Sequence, residues 1–295
     1  MSSVDVLVTG GAGVLGRGTV QALLEVGNTV AASGHTSAAG LGTQWDVSTE
    51  DRPSPDCAPD VVVHAAASIG PFRQPQNDSG PMFNVNIGGT MRVAQWCVSQ
   101  HVRRLVLIST ANVYGDWVDG AKSEEDLPQP WLAGAYAVSK WCAEGVASLV
   151  NGTGVELIIL RLSSLYGTGY DGGLVPRLLR EGRDTGTIKL FAPADDAFDL
   201  LHLSDPIRGV TSAVASDQVG VVNIGSGVAT SIAELVEVCA KQTHARIETS
   251  SAPSARPART INWVDTTRAR ALLQFTPRVS LEEGVAELNE TLSHS

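Results

Sequence analysis

Along this chain, short apolar runs alternate with longer stretches in which apolar positions recur every three or four residues. Val4 to Val8 is an alternating run of strand type, closed by the cluster Gly10-Gly11-Ala12-Gly13-Val14-Leu15-Gly16. A helical pattern opens at Arg17, runs through Val20, Leu23, Leu24 and Val26, and stops at Gly27-Asn28, a suitable C-cap pair. Thr29 to Ala32 predicts a second strand, and a short third strand ends at Trp45-Asp46-Val47. Asp60 to Ala67 predicts a buried strand with small residues at its carboxyl end. Asn86 then leads a helix through Val93, Ala94, Trp96 and Cys97, and Arg104 to Ile108 is a further buried strand, running into Ser109-Thr110-Ala111-Asn112. Ala135 opens a helix through Cys142, Val146 and Leu149. Strands and helices alternating at this spacing predict an α/β fold, a doubly wound parallel sheet with right-handed crossovers. From Tyr170 onward the alternation loosens, and Val175 to Arg183, Ser231 to Thr243 and Leu281 to Leu292 read as helices between short strands and loops.

Composition narrows the setting. The 295 residues are 43% apolar and 18% charged, as in globular proteins with a substantial core. A net charge of −10 argues against nucleic acid or an anionic membrane as partner, since either needs a basic patch. No apolar run approaches the ~20 residues that span a bilayer, and no secretory signal pattern opens the chain, so the cytoplasm is the expected address. Cys57, Cys97, Cys142 and Cys239 are scattered, which suggests neither a disulfide framework nor a metal site.

The glycine cluster carries the first chemistry. Gly10, Gly13 and Gly16 fall between a strand and a helix, where glycines let the backbone approach a pyrophosphate and the helix N-terminus offers N–H groups and a positive dipole end. A dinucleotide is therefore expected here, with Val14 and Leu15 in the turn. The end of the second strand faces the adenosine ribose in such folds. Ser33, His35 and Thr36 stand there with no carboxylate for an NAD 2′-hydroxyl, and with no Arg or Lys, so the reading is NAD or NADP with a slight lean to NADP. His64, inside an apolar strand, reads as a satisfied core residue. The Gly70 to Pro81 loop is long enough to serve the substrate side or act as a lid.

Tyr136 and Lys140 are four residues apart, on one helix face. An ammonium beside a phenol favours the phenolate, and such a Tyr can take a proton from an alcohol as hydride leaves its carbon. Ser109 or Thr110, at a neighbouring strand end, could hold the same oxygen.

With these residues in place, the chain resembles an extended short-chain dehydrogenase/reductase of the NAD(P)-dependent sugar epimerase/dehydratase family. The likeness rests on Thr9 to Gly16, Asp60 to Ala67, Asn86 to Thr90, Ser109 to Gly115, Tyr136 to Lys140, Leu160 to Gly167, Asp199 to Asp205, Asn223 to Gly227 and Pro277 to Gly284. It implies Thr110, Tyr136 and Lys140 as a catalytic triad, with Lys140 also holding the nicotinamide ribose. It further implies Asp46 and Val47 at the adenine, and Ala65, Ala66, Ala67, Asn86 and Ser109 along the cofactor. Residues 1–168, with 198–215 returning to them, would form the Rossmann domain; 169–197 and 216–295 would form a smaller substrate-capping domain. Homodimers through a four-helix bundle are implied, built from the helix after Asn86 and the Tyr136 helix, with Trp96, Cys97, Trp141 and Leu149 as apolar contacts.

Two departures bear on the substrate. Members acting on nucleotide sugars usually place Arg before the Asp that Asp199 matches, to grip the diphosphate; here it is Phe198, and an apolar ring cannot replace a guanidinium. They also usually carry Asn where Ser164 stands. Arg256 or Arg259 remains a candidate diphosphate partner, and Ala111 and Asn112 adjoin Thr110 on the substrate side. A dehydratase usually has Asp-Glu after its Thr, so Ala111-Asn112 disfavours 4,6-dehydration. The expected activity is an NAD(P)-dependent epimerase or oxidoreductase moving a hydride at a carbinol or keto carbon of a sugar or nucleotide sugar. The alternatives are a reductase or dehydrogenase of a non-nucleotide sugar or alcohol with exchangeable NADP(H), and a dinucleotide-sensing scaffold without catalysis.

Overall fold

The structure is a computed structural model that describes residues 5–34, 42–49, 58–70, 79–116, 120–190, 193–249 and 261–293. The strands, in chain order, are β1 (Asp5–Thr9), β2 (Thr29–Gly34), β3 (Gly42–Gln44), β4 (Val61–His64), β5 (Arg104–Thr110), β6 (Glu156–Leu162), β7 (Ser164–Tyr166), β8 (Thr187–Leu190), β9 (Ala197–Phe198), β10 (Leu200–His202), β11 (Gly220–Ile224), β12 (Thr230–Ser231), β13 (Arg246–Thr249) and β14 (Ile261–Asn262). The helices are α1 (Val14–Glu25), α2 (Gly80–Phe83), α3 (Thr90–Ser99), α4 (Ala135–Ala147), α5 (Leu174–Thr185), α6 (Ser204–Ala215), α7 (Ile232–Thr243), α8 (Thr267–Leu273) and α9 (Leu281–Ser293).

Among the described residues, seven strands form one sheet in the order β11-β6-β5-β4-β1-β2-β3, every neighbouring pair parallel. A strand buried on both faces reads as a continuous apolar run, and the pleat sends alternate residues to opposite sides. Val6 and Val8, Val61 and Val63, Val106 and Ile108 pack with Val20, Leu23, Val210 and Val214 of α1 and α6. Leu7, Val62, Leu105 and Leu107 pack on the other face with Val93, Trp96 and Cys97 of α3. Trp96 and Cys97, expected at a dimer face, are therefore core: both are buried, and Trp96 lies 5.4 Å from Trp45 between ring centroids.

Helix α1 begins three residues before the predicted start, inside the glycine cluster. It ends as its sequence predicts: Gly27 takes φ +88°, its N–H reaches Leu24 O at 3.0 Å, and Asn28 N–H reaches Leu23 O at 3.1 Å. Asn86 does not open an ordinary helix but lies in a π-helical stretch, Asn84–Gly89, that runs into α3.

A third apolar cluster joins α5, α7 and α9 through Leu178, Leu179, Ile188, Leu235, Val236, Val285 and Leu288. Around it stand the small pairings β7–β10, β8–β13 and β12–β9–β14. A Ser231–Glu234 capping box starts α7. The large sheet's outer strand β11, and Ala269, Leu273 and Phe275 in its core, come from the stretch that the sequence pattern groups with the smaller unit.

Candidate active site

The glycine turn is shaped by crowding. Gly10 sits at φ +73°, where a Cβ would fall 2.6 Å from Ala66 N; a Cβ on Gly16 would collide with Gly10 O. Gly13 differs, since it is exposed and its nearest neighbour for a Cβ is Gly10 O at 3.2 Å. Gly13 is also the N-cap of α1, with no side chain capping the helix and no acidic residue in its first turn. The dipole end of α1 thus opens onto the turn. Val14 and Leu15, the first residues of α1, are half-buried.

Behind the turn runs a buried chain of neutral hydrogen bonds. Thr90 Oγ1 donates to Asn86 O at 2.6 Å, so the His64 imidazole is the donor in its 3.0 Å contact with that hydroxyl. Its other nitrogen, Nδ1, then accepts from Thr9 Oγ1 at 2.7 Å. Burial, and secondarily the charge of Lys140, push the His64 pKa down to about 3. His64 is a satisfied neutral core residue, as its strand context predicts. Asn86 is wholly buried: its Nδ2 donates to Ser68 O at 2.9 Å and Ser139 Oγ at 2.8 Å, and its Oδ1 accepts Ser68 N–H at 2.8 Å. Ser139 Oγ in turn donates to Tyr136 O at 2.7 Å. Asn86 braces α4 from behind through Ser139, while Ala65 and Ala66 are half-buried and Ala67 is exposed.

On the other side, α4 carries Tyr136 and Lys140 against the carboxyl end of β5. The tie is Ser109 Oγ–H donating to Glu144 Oε1 at 2.5 Å, between buried residues. Glu144 also receives Arg161 Nη2 at 2.6 Å and Nε at 3.0 Å. The Arg161 guanidinium lies 4.8 Å from the Tyr114 ring centroid, and Tyr114 donates to Asn223 Oδ1 at 2.8 Å. Thr110 Oγ1 accepts Asn112 N–H at 3.2 Å, a bond that leaves its hydroxyl proton to be donated elsewhere.

Lys140 is 3% exposed and makes no hydrogen bond or ion pair among the described residues. Burial lowers its pKa to about 8, against the opposing pull of Glu144. Sequence reasoning expects Lys140 to draw the Tyr136 pKa down. In the structure burial pushes that phenol up to about 12, and the next contribution comes from Tyr170, which also raises it. Desolvation of the phenolate outweighs the one-turn separation from Lys140.

The remaining expected residues are dispersed. Ser33 is buried, its hydroxyl without a hydrogen-bond partner among the described residues, and His35, Thr36, Arg256 and Arg259 lie outside the described residues, as does most of the Gly70 to Pro81 loop. Asp46 Oδ1 accepts Ser48 N–H at 2.8 Å and Oγ–H at 2.6 Å, and Val47 is buried beside Gly89. Ala111 is buried and Asn112 half-buried, next to Thr110. Ser164 is exposed on β7, and its N–H donates to Asp199 O at 3.0 Å. Phe198 is half-buried against the third apolar cluster, held by Asp199, which accepts Ser226 N–H at 2.7 Å and Gly227 N–H at 3.1 Å.

Two residues escape the sequence reading. Glu144 has a recoverable signal, a carboxylate four residues past Lys140 on the same face. Tyr170 sits among Gly167, Gly169, Gly172 and Gly173, where the sequence shows only turn residues; Gly169 brings that segment against Val14, a Cβ there falling 3.7 Å from Val14 Cγ1. The residues present fit a dinucleotide: a crowded glycine turn, an uncapped helix end and a buried ammonium without a direct partner among the described residues. Among the described residues there is no cluster of three metal-ligating side chains, and no helix is long and apolar enough to cross a membrane.

Residues 6–225 match the model of the Epimerase family, described as the NAD dependent epimerase/dehydratase family. The chain is 28% identical, over 96% of its length and 97% of the relative's, to the UDP-glucose 4-epimerase of Mycolicibacterium smegmatis. It is 27% identical to the dTDP-glucose 4,6-dehydratase of Streptomyces niveus, over 78% of this chain and 69% of that one. In structure it is similar to MoeE5 in complex with UDP-glucose and NAD, with a TM-score of 0.84, 30% identity and coverage of 99% and 100% of the two chains.

Proposed function

Because the chain belongs to the NAD dependent epimerase/dehydratase family, we propose that it is an NAD-dependent epimerase acting on a carbinol carbon of a nucleoside-diphosphate sugar. The observation that supports this is the tie between Ser109 and Glu144, which holds α4, the helix of Tyr136 and Lys140, against the end of the strand that carries Thr110. The turn at Gly10, Gly13 and Gly16, the N-terminus of α1, and Lys140 would hold the cofactor. NAD, when bound, would supply the hydride acceptor and donor for that carbon.

Tyr136 takes the proton of the reacting hydroxyl and gives it back. With a pKa near 12 the phenol keeps its proton at rest, so positive charge close by is needed before it acts as a base. Lys140, with a pKa of about 8, supplies that charge at neutral pH. Thr110 donates its free hydroxyl proton to the same substrate oxygen and orients it. NAD rather than NADP is supported by the NAD in the MoeE5 complex. It is supported also by the buried Ser33, beside which the described end of β2 offers no cation for a 2′-phosphate. Ala111-Asn112 after Thr110 places no carboxylate where dehydration needs one. The triad, the domain division given above and a dimer belong to the same proposal. Met91 on α3, Trp141 on α4 and Leu149 are exposed and supply the dimer's apolar face in place of Trp96 and Cys97.

One observation favours a second reading. Phe198 offers no charge to a diphosphate, which suits a reductase or dehydrogenase of a non-nucleotide sugar. Denaturing the purified protein and identifying the released dinucleotide separates the two. Stoichiometric NAD supports the epimerase; an empty protein that binds and releases NADPH supports the reductase. Tyr136→Phe is expected to lower kcat by about 10²- to 10⁴-fold and leave NAD binding intact. An unchanged rate, measured with UDP-sugars by product chromatography, sinks the mechanism.

A further inference from the structure

The buried charges around α4 do not cancel. Arg161 is matched directly by Glu144, through Nη2 at 2.6 Å and Nε at 3.0 Å. Lys140, one helical turn before Glu144, has no direct partner among the described residues. Two buried cations therefore share one buried carboxylate, and the uncompensated positive charge stands at the lysine. The same carboxylate fixes a distance, since Ser109, whose hydroxyl it binds at 2.5 Å, immediately precedes Thr110. Arg161 is itself anchored from behind, over the Tyr114 ring, with Tyr114 bonded to Asn223 on β11.

We propose that Glu144 is a positioning residue of this site: clamped by Arg161 and Ser109, it sets Lys140 and Thr110 at their working separation and keeps the lysine's charge free for the ligand. The proposal rests on the catalytic reading above. The charge groups facing Lys140 are Glu144 on its own helix and His64 on β4. His64 is neutral, so among the described residues Glu144 is the carboxylate that supports the ammonium. Arg161 reaches both carboxylate oxygens, Nε on Oε1 at 3.0 Å and Nη2 on Oε2 at 2.6 Å, while Lys140 makes no direct pair with Glu144.

Two variants separate charge from clamp. Glu144→Gln keeps size and, with its amide oxygen in the place of Oε1, the bonds from Ser109 Oγ and Arg161 Nε, but removes the charge and turns an amide NH2 towards Arg161 Nη2, which is left unmatched. Ser109→Ala keeps the charge and opens the clamp. NAD affinity is measured by calorimetry from pH 6 to 10 on the full chain, with kcat alongside. In Glu144→Gln the alkaline midpoint of NAD binding moves down by about one pH unit as Lys140 loses its support. In Ser109→Ala that midpoint stays in place while kcat falls about ten- to a hundredfold, with NAD affinity within twofold. A wild-type midpoint in Glu144→Gln overturns the charge role. If that variant does not fold, a Ser109→Ala kcat within twofold of wild type still overturns the clamp. A wild-type chain that binds no NAD at any pH overturns the catalytic reading itself, and this proposal with it.

Discussion

On the β1 side of the candidate site the buried groups are neutral: His64 bridges two threonine hydroxyls, and Asn86 bridges the loop at Ser68 and α4. On the α4 side they are charged: Glu144 and Arg161 form an ion pair, with Lys140 a turn away. His64 and Lys140 are near enough to influence each other, and burial lowers both, but it takes His64 from 6.5 to about 3 and Lys140 from 10.5 only to about 8. The partners decide the difference. A hydroxyl pair satisfies a neutral imidazole, one accepting its N–H and the other donating to its bare nitrogen, and leaves no acceptor for a second proton, so burial wins. A carboxylate one turn away offsets part of the cost of burying an ammonium. The candidate site thus has one side that fixes shape without charge and another that keeps one charge available.

The largest break in this contrast comes from Arg161→Met. It leaves Glu144 buried without its direct partner, and stability is expected to fall by about 3–5 kcal/mol in urea unfolding. His64→Gln, on the neutral side, should cost less, about 1–3 kcal/mol, because it disturbs hydrogen bonds only. Its pH dependence is the sharper test. With a native pKa near 3 and an ordinary value of 6.5, His64 is neutral in both states above pH 6.5. Below that the unfolded chain takes up a proton that the folded chain refuses, so its stabilising contribution is lost as pH falls from about 6.5 towards 3. The wild-type protein should lose stability over that window faster than His64→Gln does. Equal slopes in paired denaturation series would contradict the neutral assignment. The smallest effect on folding is expected from Gly13→Ala. Its Cβ meets one atom at 3.2 Å, so the melting temperature should hardly move, while a bulge towards the pyrophosphate path should weaken NAD binding about tenfold.

The sheet was legible because its strands are buried on both faces and so read as unbroken apolar runs, and because the glycine turn admits few other residues. The triad candidates were legible as spaced polar residues at strand and helix ends. The electrostatics were not. Spacing places Tyr136 and Lys140 on one face but does not say how deeply that face is buried, and burial is what raises the phenol. The same gap explains Trp96 and Cys97, whose helical spacing suits a dimer face and a core equally well. Tyr170 was hidden by its setting, since a glycine-rich run reads as turn and gives no sign of what it faces. Phe198 was legible as a departure, and its packing against the third cluster supplies the reason the position tolerates an aromatic ring.

Strand β11 has a bearing on how the chain is made. It completes the large sheet by pairing with β6, but a long stretch containing β7 to β10 and helices α5 and α6 separates the two. During synthesis the open hydrogen-bonding edge of β6 waits for Gly220–Ile224 to leave the ribosome, at roughly 5–20 residues per second. The nascent protein therefore carries an unpaired, apolar sheet margin for seconds, and chaperone dependence or aggregation in rapid expression should trace to that interval.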